Sequence, residues 1–186
     1  MALTTQFHTD PVAAELDIRF DAFRSLWRFW ADRVDGDHLP ARADFGIEDF
    51  LDWSRYIGMF EVEPGTGRLQ IRLACKAMLD LNGREITGAF LEDICHPDVL
   101  ADVLEPYQVA ARQRAAVQQQ ILVDGDFGPA DLELLVLPMS GNGRDVDYYA
   151  AALHYTGRPS TPFDRHPLQI GLVNPGPPAV SPGDVE

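Results

Sequence analysis

The chain reads as an α+β protein: a five-stranded antiparallel sheet with helices on one face, preceded by an N-terminal amphipathic helix. Three observations carry that reading. A long segment near the start has the apolar spacing of a helix. Two short strand-like runs follow it, separated by a turn. A block of helical pieces then leads into three more strand-like runs, and two strands, a helical crossover and a three-strand meander make one antiparallel sheet with helices against it. The 186 residues, 46% of them hydrophobic, suit one domain with a substantial core and a tail.

Residues 1–12 read as an N-terminal arm. MALTTQFHTD lacks a basic stretch followed by an apolar one, so it is not a secretory signal. Over residues 13–34 the apolar positions are Leu16, Phe20, Phe23, Trp27, Trp30 and Val34, in steps of 4, 3, 4, 3 and 4. That is one face of a helix, predicted over 13–35. Asp10 and Pro11 supply an N-cap and N1 pair, and Gly36 and Pro40 end it. Ala22, Leu26 and Phe29 widen the stripe to a neighbouring face. So broad an apolar face predicts an association surface, and hence a homodimer with Ala22, Leu26 and Phe29 at its interface.

The stretch LPARADFG at 39–46 forms the next corner. Pro40 holds Leu39 extended. Asp44 is placed to cap a short helix over 47–54. Arg42 can bridge to a carboxylate such as Asp44 or to helix-terminal carbonyls. The corner reads as architecture, with ligand contact by Arg42 as the second reading.

Runs 56–62 and 68–73 flank EPGTG and predict a β-hairpin. Short helical pieces from residue 75 onward are broken at Gly83, Gly88 and Pro97. A longer helix puts Val99, Val103 and Tyr107 on one face, with Pro106 inside it as an expected kink or stop. Strands are predicted over 117–123, 132–137 and 147–155, and Asn142-Gly143 is hairpin-turn chemistry. Residues 157–186 hold half of the 14 prolines and read as a disordered or loosely docked extension, with Phe163, Leu168 and Ile170 as the residues that would dock it.

The net charge of −14 disfavours phosphate backbones and anionic lipid surfaces, so neither nucleic acid nor membrane is expected as a partner. No window approaches the roughly 20 apolar residues of a membrane span, and a cytoplasmic protein is expected. Cys75 and Cys95 make no disulfide framework. There is no nucleotide loop, no HExxH, no Cys-x-x-Cys and no GxSxG. The five histidines are scattered singly, and His96 before Pro97 reads as a cap or surface residue rather than a metal ligand. No metal and no catalytic residue is expected.

Three segments together resemble the PAS domain. LNGREITGAFLEDICHPDVLADVL at 81–104 is similar to the PAS middle region, where a Gly-Arg-x-x-x-Gly-like segment precedes a His-Pro-Asp motif that opens the long helix. DLELLVLPMSGNGRDVDYYAAAL at 131–153 is similar to the last two PAS strands. LPARADF after an aromatic helix, GREITG some forty residues on, and LPM before the last hairpin look like an alphaproteobacterial PAS-like family, a domain of unknown function. In that family a Pro usually follows the Asp of the first motif; here Gly46 stands near that place.

The resemblance implies a stand-alone sensory or regulatory module, not an enzyme, that binds a small molecule, a partner protein, or both. It implies a pocket between sheet and helices. Met78, Phe90, Ile94 and Tyr107 are placed to line it, and they also read as plain core. Arg42, Asp44 and Arg84 fall in the matching motifs as structural or ligand-contacting residues. The flavin-binding PAS branch carries its Cys in an Asn-Cys-Arg-Phe type motif. ICHP at 94–97 is not that motif and Cys75 lies in LACKAM, so no flavin photoadduct and no cofactor is expected. The alternative is a small isomerase or hydratase in a cone-shaped α+β fold. Its nearest acid–base set is His154 with Tyr155 and Asp147, although His154 and Tyr155 should face opposite sides of a strand.

Overall fold

The computed structural model describes residues 4–14, 17–46, 48–95, 97–124 and 130–156. Six strands form one antiparallel sheet: β1 (Thr4–Pro11), β2 (Ile57–Val62), β3 (Leu69–Leu73), β4 (Val117–Asp124), β5 (Ala130–Met139) and β6 (Tyr148–Thr156), in the order β1-β4-β5-β6-β2-β3. Helix α1 (Asp21–Ala31) precedes β2. Helices α2 (Lys76–Asn82), α3 (Leu91–Ile94) and α4 (Pro97–Gln113) lie between β3 and β4. Strands β2 to β6 with their helical crossover are the arrangement that the PAS resemblance implies, and the fold is a PAS-like α+β fold.

The sheet has six strands rather than five. The supposed arm is β1, which pairs with β4 from Thr4↔Asp124 to Pro11↔Val117. Pro11 is tolerated there because β1 is an edge strand and Pro11 is its last residue. The pairing also shortens the predicted helix 13–35 to 21–31. Asp10 and Pro11 are in the ladder and not at a helix start, and Val12 N–H continues to the Ala116 carbonyl at 2.8 Å. Helix α1 begins instead where the Glu133 carboxylate accepts the N–H groups of Arg19 and Phe20, at 3.0 and 3.2 Å.

Alternate residues of each strand supply two cores. Under α2, α3 and α4 lie Leu132, Leu134 and Val136 of β5 with Tyr149, Ala151 and Leu153 of β6. Under α1 lie Leu135, Leu137 and Met139 with Ala150 and Ala152. Gly58 of β2 faces α2, and a Cβ there would stand 2.9 Å from both the Met78 sulfur and the Leu73 carbonyl oxygen; only Gly permits that approach.

The broad face of α1 is used within the chain. Phe23, Leu26 and Trp30 are buried, and Trp30 Nε1 donates to the Pro138 carbonyl at 2.8 Å. The flank with Phe29 is covered by the segment that follows. Phe29 packs on Phe45, Phe50 and Trp53, with ring centroids 5.4–6.0 Å apart. Trp53 Nε1 donates to the Ala22 carbonyl at 3.0 Å and to Ser25 Oγ at 3.1 Å. Leu26, with no exposed surface, is therefore core. Ala22 and Phe29 are half-buried beneath the chain's own 3-10 turn Glu48–Trp53. The stripe read as a dimer surface faces inward.

The LPARADFG corner joins the end of β5. Ser140 N–H donates to the Pro40 carbonyl at 3.0 Å, and Arg42 N–H to the Ser140 carbonyl at 2.9 Å. Asp44 Oδ2 accepts the Ala41 N–H, so it closes its own turn, Arg42–Asp44. The turn Glu48–Trp53 is entered through Asp49, whose Oδ2 accepts Gly46 N–H. Helix α4 runs through Pro106 as one helix. Among the described residues no helix is long and apolar enough to cross a membrane. Leu16, His96 and the proposed docking residues Phe163, Leu168 and Ile170 lie outside the described residues.

Candidate ligand cleft

The first place to look is the space between the sheet and α2–α4. Met78, Ile94 and Tyr107 are buried together there. Tyr107 meets Phe60 at 5.3 Å between centroids and Tyr149 edge-on at 5.2 Å, and Tyr149 Oη donates to the Tyr107 carbonyl at 3.2 Å. Phe90 is elsewhere. It is half-buried, and the Arg68 guanidinium lies 4.1 Å over its ring. Arg84 is half-buried in the connection after α2, and Arg42 Nη1 donates to the Phe45 carbonyl at 2.7 Å. The structure thus unites three of the four pocket candidates, in a packed interior.

Both thiols are buried here. Burial, then the Glu92 charge, pushes Cys95 up to about 12, and burial raises Cys75. Burial likewise raises Tyr107, and pushes Tyr149 up to about 12. A thiol held protonated is a poor nucleophile. Tyr107 thus bridges Phe60 and Tyr149 in the interior.

An open site lies at the rim. Strand β2 begins opposite Ala152, and the last bond between the two chains there is Leu153 N–H to the Tyr56 carbonyl, at 2.9 Å. Beyond it the chain of Arg55 turns toward α2, where its carbonyl accepts the Ala77 N–H at 3.3 Å. Strand β6 runs on alone on that side. The gap is a cleft of about 220 Å³, lined by Arg55, Tyr56, Lys76, Ala77, Asp80, Leu153, His154 and Tyr155.

Its back wall belongs to the α1 side. The His154 ring lies parallel to Phe20, with centroids 3.9 Å apart, and Tyr56 meets Phe20 and Phe23 edge-on. Desolvation lowers the His154 pKa, against the raising effect of Glu133 and Asp131. Tyr155 is on the opposite face of β6; partial burial raises its hydroxyl first, Asp80 also raises it, and Lys76 and Arg55 lower it. Asp147 is at the other end of the strand and accepts the Gly141 N–H. Seven residues at a strand's rise put it ~23 Å from His154, so the acid–base set is not assembled. No group of three or more potential metal ligands occurs among the described residues.

Sequence reasoning named His154 and Tyr155 but not Arg55, Tyr56, Lys76 or Asp80 as neighbours. Only Lys76 and Asp80, four residues apart on a helix, carried a local signal for being together.

No family model matches the chain, and no curated protein matches it. Solved structures that resemble it are light-oxygen-voltage (LOV) proteins. One is the LOV protein of Rhodobacter sphaeroides, 18% identical, covering 55% of this chain and 60% of that one, TM-score 0.41. Another is a LOV domain studied with a flavin analogue, 14% identical, covering 60% and 84%, TM-score 0.44. A third is an RNA-binding LOV receptor, 17% identical, covering 83% and 39%, TM-score 0.41. The match thus spans about 60% of the length of the first. Likeness at this level concerns the path of the chain, not what it binds.

Proposed function

We propose that this chain is a non-catalytic sensory or regulatory module of PAS-like fold, which holds a small molecule at the rim cleft and passes its occupancy to a partner protein through α1. One observation carries the reading: His154 and Tyr56 line the cleft and are also the rings against which Phe20, at the start of α1, rests. A molecule that shifts either ring acts on α1 without crossing the packed interior, and a change in helix seating is a route from ligand to partner. If the partner is a second copy, it meets a surface other than the Leu26 stripe, which is consumed internally.

Native mass spectrometry of protein purified from its own host tests the ligand, and hydrogen exchange with and without it tests the route. Retained mass with altered exchange over residues 18–31 is the expected result. Chemical turnover of the retained molecule would favour the enzyme reading, and retention without any change at α1 would overturn the proposed route.

A further inference from the structure

We infer that the rim cleft is a binding site for a small aromatic carboxylate. This rests on the reading of the cleft as the module's ligand site and adds the chemical class of the ligand.

The first ground is charge. In a chain of net charge −14, the cleft walls carry two cations, Arg55 and Lys76, against one carboxylate, Asp80. Four other arginines are paired with carboxylates: Arg19 with Asp131, Arg24 with Asp21, Arg68 with Asp93 and Arg72 with Glu61. Arg33, Arg42 and Arg114 donate to backbone carbonyls. Among the described residues, nothing holds the Arg55 side chain by an ion pair or a hydrogen bond. A free guanidinium offers a planar fork that suits a carboxylate.

The second ground is the number of charges. Lys76, the chain's only lysine, already holds both Asp80 oxygens, at 2.7 and 3.0 Å. One uncompensated positive charge remains, which matches a monoanion better than a dianionic phosphate. Arg55, Lys76 and Asp80 line the same cleft.

The third ground is shape. Tyr56, His154 and Tyr155 give the cleft aromatic walls, and Leu153 and Ala77 add apolar surface. Flat rings accept a flat ring by stacking or edge contact. A cleft of about 220 Å³ is below the ~300 Å³ at which pockets for drug-sized ligands begin, so a single-ring acid is the fitting size. Its ring would lie against the His154 and Tyr56 wall and its carboxylate at Arg55.

The test titrates 4-hydroxybenzoate, and separately the neutral 4-hydroxybenzyl alcohol, into the full chain by calorimetry, while following the tryptophan emission of Trp27, Trp30 and Trp53 around α1. Saturable binding of the acid, weaker by about tenfold or more for the alcohol and for the Arg55→Gln variant, is expected. Asp80→Asn should tighten the acid several-fold by releasing Lys76. Both substitutions are at exposed side chains, and an unchanged melting temperature shows that each variant is folded. Equal binding of acid and alcohol, an unaffected Arg55→Gln, or no saturable binding of the acid would overturn the inference. Failure here, with a different molecule retained in the native mass spectrum, overturns the ligand class and leaves the regulatory reading standing. Binding of the acid with no change in tryptophan emission or exchange does the reverse.

Discussion

On the face of the sheet under α2–α4, β5 presents Leu132, Leu134 and Val136; on the face under α1 the intervening residues are Leu135, Leu137 and Met139. The strands treat the two faces alike, and the difference lies in the lids. The first lid follows β3 directly in sequence and buries polar tips as well as apolar ones: Cys75, Cys95, Tyr107, Tyr149 and, nearer the β1 edge, Gln119. Gln119 donates to Thr9 Oγ1 and the Asp102 carbonyl, and its own oxygen has no protein partner among the described residues. The second lid comes from the chain before β2 and is tiled with rings, from Phe20 to Trp53. Its rings form two contacting groups, Phe20 with Phe23 and Tyr56 at one end and Phe29 with Phe45, Phe50 and Trp53 at the other. What this teaches is that the open space lies in neither core. The cleft is at the rim, where one strand end offers His154 to the ring-tiled face and Tyr155 to the other.

The comparison breaks most severely at Leu26→Glu. A carboxylate at a position with no exposed surface is expected to cost more than about 5 kcal/mol and unfold the chain. Circular dichroism and light scattering check this, and a folded monomer would mean that α1 sits outside the core. On the opposite face, Gly58→Ala should cost about 1–3 kcal/mol by overpacking, because the Leu73 carbonyl it meets is backbone. Urea unfolding measures it, and adding Met78→Ala should relieve only the sulfur contact. Arg42→Ala removes the half-buried bond to the Phe45 carbonyl, for about 1 kcal/mol. If stability holds but 4-hydroxybenzoate or partner binding falls, Arg42 is a ligand contact.

The smallest effect is at His154. Its folded pKa is lowered, by desolvation, from 6.5. The unfolded chain therefore takes up the proton first as pH falls. The stability tied to the neutral ring is present above pH 6.5 and is lost as pH drops from there through the folded value. The melting temperature should fall slightly between about pH 7.5 and 5.5. His154→Phe, which keeps the ring on Phe20, should flatten that part of the profile.

Much of this fold was legible. The hairpin around EPGTG, the helical crossover and the last three strands lie within one or two residues of expectation, because period and turn chemistry are local. Residues 13, 14 and 17–20 were misread for an equally physical reason. Their apolar spacing is helical, but β1 pairs eight residues with β4, a strand more than a hundred positions away, and Glu133 sets where α1 starts. The aromatic breadth of α1 was visible too, but its cover was not, since Phe45, Phe50 and Trp53 return to it only after the LPARADFG corner turns the chain.

By itself, then, the sequence determined the elements, their order, the two-sided apolar strands and the acidic surface: properties carried by neighbours in the chain. The tertiary structure alone decided that the arm becomes a sixth strand, that Leu26 is core, and that Arg55, Lys76, Asp80, His154 and Tyr155 share one cleft. Each of those depends on pairing across long separations, where the free energy of burial and of satisfied backbone groups outweighs local preference.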